Sequence, residues 1–153
     1  DKGQKVAEGS VQEILSSQRV TDVIDISELE NVFEAIVKDN GQDSGTGAIL
    51  LNGLEIEVPV FNAKIGSKAT ASIRAADIII SNHLPKGLSA RNVLKGIVKE
   101  VVDSTSRPVI YVDVGTMMIV EITSRSLAEL GIELGSEVHL IIKANSIGVA
   151  EIN

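Results

Sequence analysis

The feature that most restricts the fold of this chain is an internal repeat. "NVFEAIVK" (31–38) and "NVLKGIVK" (92–99) carry Asn, Val, Ile, Val and Lys at matching positions, 61 residues apart. The match resumes downstream, where "GSKATASIRAADIIIS" (66–81) aligns with "GSEVHLIIKANSIGVA" (135–150) at an offset of 69, pairing Arg74 with Lys143 and Ala75 with Ala144. The larger offset puts eight extra residues between the two blocks of the second copy, and "ITSRSLAELGIEL" (122–134) absorbs them. That insertion reads as a short helix: Thr123 can cap its start, Leu127 and Leu130 share a face, and Gly131 supplies a stop.

Most of what remains reads as strands. The runs "GAILLNGLEIEVPV", "KATASIRAADIIIS", "VIYVDVG", "MMIVEI" and "EVHLIIKANSIGVAEI" are rich in aliphatic and β-branched residues and are separated by Gly, Asn, Asp or Pro. Each copy then holds four or five short strands. Domains of about 60 residues bury little surface alone, so the copies should pack closely together or dimerise. The expected fold is all-β: two tandem Greek-key small barrels of the OB type, with one short helix in the second. Residues 31–86 form the first barrel and 87–153 the second. Residues 1–30 match neither copy and are read as a leader, in which "GQKVAEGSVQEILSS" suggests a strand, a turn at Glu8-Gly9 and a helix from Ser10 with Glu13 completing a capping box.

Composition narrows the function. The formal charge is −7 and aromatics are 2 % of the chain, so neither a phosphate-seeking basic surface nor a set of base-stacking rings is present, which argues against nucleic acid. There is no cysteine, hence no disulfide or thiolate metal site. No run of about 18 apolar residues occurs and the N-terminal stretch has no signal pattern, so a soluble chain is expected. It opens without Met, which suggests a piece of something longer.

Catalytic patterns are missing. "GTG" (45–47) and "GSK" (66–68) lie outside any P-loop context and read as turns. His83 and His139 have no ligand-spaced neighbours, and no Ser/His/Asp set or nucleophile elbow appears. No catalytic residue, metal site or cofactor is therefore expected. The positive signal is a group of donors without accompanying acids. Ser89, Arg91 and the amides of 89–92 follow Gly87 at a strand start, where the backbone can form an anion-binding nest. Lys143 ends an apolar run, and Thr123 and Ser126 open the inserted helix.

Those residues carry a resemblance. "LSARNVLKGIVKEVVD" followed by "VEITSRSLAELGIELGSEVHLIIKANSIGVA", over about 87–152, resembles the molbindin or Mop domain of the wider TOBE group, small OB-like barrels that bind molybdate and tungstate. The resemblance implies an oxyanion held between barrels by Ser89, Arg91, Lys143, Thr123 and Ser126, with Ala90, Asn92, Ala144 and Ser146 contributing through backbone or side chain. "DKGQKVAEGSVQEIL" is similar to the segment that closes the nucleotide-binding domain of ABC transporter ATPases. Two Mop-like copies after such a segment imply the regulatory C-terminal portion of a molybdate importer's ATP-binding subunit. ATP and Mg would belong only to the absent catalytic domain, so this portion is not itself an enzyme. The implied setting is the cytoplasmic face of the membrane, with a homodimer and the transporter's ATPase and membrane subunits as partners. Two other readings stay open: a free-standing cytoplasmic molbindin that stores the anion, and a structural TOBE tail of another importer.

The first copy departs from the pattern, with "ELEN" (28–31) where S-A-R-N stands in the second. Two acids there would repel a dianion. Molybdate and tungstate offer only acceptors, so an all-donor pocket suits them, and hydrogen phosphate is disfavoured because its proton needs an acceptor.

Overall fold

The computed structural model describes residues 29–103 and 107–152. The leader's strand, turn and helix lie outside the described residues. The chain runs through β1 (Glu30–Asp39), β2 (Gly47–Leu51), β3 (Leu54–Val58), β4 (Lys68–Arg74) and β5 (Ile79–Ser81) in the first repeat. The second contributes β6 (Asn92–Val102), β7 (Val109–Asp113), β8 (Met117–Glu121), helix α1 (Ser124–Leu130), β9 (Glu137–Ile142) and β10 (Ile147–Glu151).

The strands form two five-stranded antiparallel sheets, ordered β10-β4-β1-β2-β3 and β5-β9-β6-β7-β8. Each draws four strands from one repeat and its edge strand from the other. β10 pairs with β4 from Ile147↔Ile73 to Glu151↔Ala69, and β5 pairs with β9 from Ile79↔Ile141 to Ser81↔His139. The repeats therefore exchange their last strands. The runs 68–81 and 137–152, read from sequence as strand, are each split by a 3-10 turn, Ala75–Asp77 and Ala144–Ser146. After that turn the chain crosses to the other barrel.

Alternation sets the core. Phe33, Ala35 and Val37 of β1 and Leu94 and Val98 of β6 point inward, while Glu34, Lys38, Lys95 and Lys99 stay exposed, as period-2 strands require. One apolar cluster runs without a break from Phe33, Ile49 and Ile73 through Val98, Met118 and Leu140, so the two barrels share a core. The tight Leu51–Leu54 connection has Asn52 and Gly53 at φ 52° and 81°, the left-handed pair that a two-residue hairpin loop demands. Helix α1 is as expected: the Thr123 hydroxyl accepts from the Ser126 amide, Gly131 stops the helix at φ 64°, and Leu127 and Leu130 pack against the main core. Among the described residues, no helix is long and apolar enough to cross a membrane.

Candidate functional site

Each repeat's leading strand opens with a buried asparagine, Asn31 as the second residue of β1 and Asn92 as the first of β6. Asn92 accepts the Glu57 amide at 2.8 Å on Oδ1 and donates from Nδ2 to the Glu57 carbonyl at 2.9 Å and the Ile142 carbonyl at 3.2 Å. Asn31 repeats the arrangement, accepting the Ile119 amide at 2.7 Å and donating to the carbonyls of Ile119 at 2.9 Å and Ile73 at 3.2 Å. Each amide thus fastens its own barrel to the neighbouring one, β6 to β3 and β1 to β8. The Asn92 side chain is fully occupied by backbone groups, so any part Asn92 plays toward an anion falls to its main chain.

This staple gathers the second repeat's motif. Asn92 lies opposite Ile142 in the β6/β9 register, and both are buried. Carried one residue further, the register puts Arg91 opposite Lys143, and pleat alternation turns both cations outward, where both are exposed. Lys143 immediately precedes the 3-10 turn containing Ala144 and Ser146, and the Ser146 amide donates to the Lys143 carbonyl at 2.9 Å. Like charges directly across a ladder are unfavourable unless something neutralises them. In the first repeat the equivalent pair is Glu30 opposite Arg74, which are of opposite sign. The backbone geometry repeats; the charges do not.

Ser89 is exposed and Ala90 half-buried in the segment after Gly87, whose φ of 68° turns the chain into β6. An open cleft of about 390 Å³ lies beside Arg91, lined by Asp39, Thr46, Glu55, Glu57, Arg91 and Asn92; Lys143 does not line it. The expectation of donors without acids does not hold here. Glu57 Oε1 sits 3.8 Å from Arg91 Nε, because the Asn92 staple fixes the Glu57 backbone beside the motif. Glu55 is paired with Lys38 at 2.7 Å.

Thr123 and Ser126 sit elsewhere. They face each other, with the Thr123 hydroxyl donating to Ser126 Oγ at 3.0 Å, at the start of a helix that follows β8. Among the described residues, neither a hydrogen bond nor the cleft joins them to Arg91 or Lys143. The structure thus brings Arg91, Asn92, Lys143, Ala144 and Ser146 to one end of β6/β9 and leaves Thr123 and Ser126 apart. Among the described residues, no group of three or more His, Asp or Glu side chains could hold a metal ion.

Sequence reasoning missed Glu57, which belongs to the other repeat, and the role of the two asparagines. The signal for the latter was present: Asn recurs at position 31 and position 92 although its neighbours change from Leu-Glu to Ala-Arg. A residue that persists while the flanking charges invert serves the fold both copies share.

Fold and motif together define a tandem pair of OB-like small barrels, the second of which matches the TOBE domain over residues 88–149. The particular relatives are transport subunits. The chain is 28 % identical to the molybdenum import ATP-binding protein ModC of Paramagnetospirillum magneticum across 99 % of its length, which is 42 % of that protein. It is 32 % identical to the molybdate/tungstate import ATP-binding protein WtpC of Pyrococcus horikoshii, across 97 % of this chain and 40 % of the relative. The chain therefore spans about two-fifths of the length of these proteins, and it matches their C-terminal portions. The molybdate-bound crystal structure of the cytoplasmic molybdate-binding protein ModG shares its fold, with a TM-score of 0.72 over 80 % of this chain and 96 % of that one, at 23 % identity. The resemblance to the tandem Mop/TOBE portion of molybdate importer ATP-binding subunits is borne out. Only a TOBE domain is found, without a catalytic domain.

Proposed function

We propose that this chain is an oxyanion-sensing regulatory portion of an importer's ATP-binding subunit, with molybdate or tungstate as ligand. What carries the reading is that Arg91 and Lys143 each stand one residue beyond the Asn92↔Ile142 pair that ends the β6/β9 ladder, two cations where the first repeat pairs Glu30 with Arg74. A tetrahedral dianion between them removes the repulsion and accepts from both. Ser89, the amides of Ala90 and Asn92, and Ala144 and Ser146 flank the same strand ends and can add donors. Charge-assisted hydrogen bonds contribute roughly 1.5 to 3 kcal/mol each, so three or four, less desolvation and ordering, reach micromolar affinity.

Thr123 and Ser126 reach such an anion only from a second chain, which makes a homodimer the natural complete site. The anion then bridges two copies and stabilises one arrangement of them. Regulation follows if that arrangement holds the attached ATPases apart and slows import when intracellular anion is plentiful, because a ligand shifts an equilibrium by its differential affinity for the two states. The setting is the cytoplasmic side of a membrane, beside the transporter's membrane subunits.

Titration calorimetry with molybdate, tungstate, sulfate and phosphate tests the proposal. Molybdate or tungstate should bind with micromolar or tighter affinity, and Arg91→Ala and Lys143→Ala should each weaken it at least tenfold. Unchanged affinity in the double variant would remove these residues from the site. A structural TOBE tail is the second reading, favoured by the contact that already gives Arg91 a partner in Glu57. Absence of any oxyanion binding would establish it.

A further inference from the structure

We infer that Glu57, supplied by the first repeat, is an affinity-setting counter-charge of the second repeat's anion site. This rests on the oxyanion reading of Arg91 above. Three observations place it there. Asn92 holds both backbone groups of Glu57, at 2.8 and 2.9 Å, so residue 57 cannot move away from the motif without breaking a buried staple. Its carboxylate lies 3.8 Å from Arg91 Nε, close enough for charge attraction but beyond hydrogen-bonding distance, and both side chains are part-exposed, at 36 % and 64 %. The equivalent staple in the first repeat holds Ile119, which is uncharged, against Asn31. The asparagine that follows Arg91 thus holds an acid, whereas the asparagine that follows Glu30 holds an uncharged residue.

A dianion entering beside Arg91 competes with Glu57 for the guanidinium and is repelled by it. Two charges facing one across about 6 Å of watery surroundings change an equilibrium about tenfold at low ionic strength. Salt shortens the range of that repulsion, so the effect shrinks as ionic strength rises. Glu57 is therefore a positioning and tuning residue, and it makes anion affinity on the second repeat answer to the first.

The side chain of Glu57 takes no part in the staple, so Glu57→Gln leaves the fold's hydrogen bonds in place. Molybdate titrations of the wild-type chain, Glu57→Gln, Arg91→Ala and the double variant, at about 20 mM and 500 mM salt, test the inference. Glu57→Gln should tighten binding five- to tenfold at low salt and less than twofold at high salt, and the gain should be smaller when Arg91 is absent, because competition for the guanidinium is then lost and only direct repulsion remains. Arg91-dependent binding that Glu57→Gln leaves unchanged or weakens overturns this inference alone. Absent or Arg91-independent binding in all four proteins overturns the oxyanion reading and this inference with it. Binding detectable only in Glu57→Gln supports both.

Discussion

Asn31 and Asn92 are two of the few buried polar side chains in the described chain, and each serves three backbone groups. Truncating one strands a buried amide and two carbonyls. Asn92→Ala and Asn31→Ala should each lower stability by about 1 to 3 kcal/mol, read from urea unfolding midpoints; a change below about 0.5 kcal/mol would contradict the staple. Tyr111 is the opposite case. Its hydroxyl is buried without a hydrogen-bond partner, so Tyr111→Phe should be neutral or slightly stabilising near pH 7. Burial, reinforced by the Glu100 carboxylate opposite it in the β6/β7 ladder, raises the phenol's pKa well above its ordinary value of 10.0. The unfolded phenol therefore ionises first. The contribution of neutral Tyr111 is complete below about pH 10 and is lost as pH climbs beyond it. Unfolding midpoints at pH 8 and pH 11 should differ less in Tyr111→Phe than in the wild type.

Among the elements, β6 leaves no room for a side chain at Gly96. A Cβ on Gly96 would meet Val114 Cγ1 at 2.6 Å, Val112 Cγ1 at 2.7 Å and the Asp113 carbonyl at 2.8 Å, whereas the equivalent Ala35 in β1 is accommodated at 2 % exposure. Gly96→Ala should cost about 1 to 3 kcal/mol in unfolding free energy, through displaced β7 packing; a neutral result would mean that β7 shifts freely. Much of this level was legible in the sequence. The repeat located both strand sets, and the Thr123 cap with the Gly131 stop located α1 within one residue. The strand exchange was not legible, because 68–81 reads as one apolar run and its break is a turn of Ala-Ala-Asp, residues with no strong turn signature. The candidate site was half legible: S-A-R-N and Lys143 are local motifs, but Glu57 reaches Arg91 only through a contact 34 positions distant in the chain. Periodicity describes one element at a time and is silent on which elements meet.

For the molecule as a whole, the shared core and exchanged edge strands predict a single cooperative unfolding transition. Calorimetric and van't Hoff enthalpies should agree; two resolved transitions would mean that the barrels are independent. Removing residues 147–153 takes β10 from the barrel formed by the first repeat, and the Arg91-bearing barrel should lose stability as well. The crossing of β5 and β10 has a further implication for ancestry. A solitary copy of either unit would end in a strand with no place in its own barrel, and it could finish folding only by lending that strand to a twin and borrowing the twin's in return. Joining two such copies end to end converts an obligatory encounter between separate molecules into an event within one chain, independent of concentration. It also frees one copy's charges, as at Glu30, to change while its backbone goes on completing its sibling.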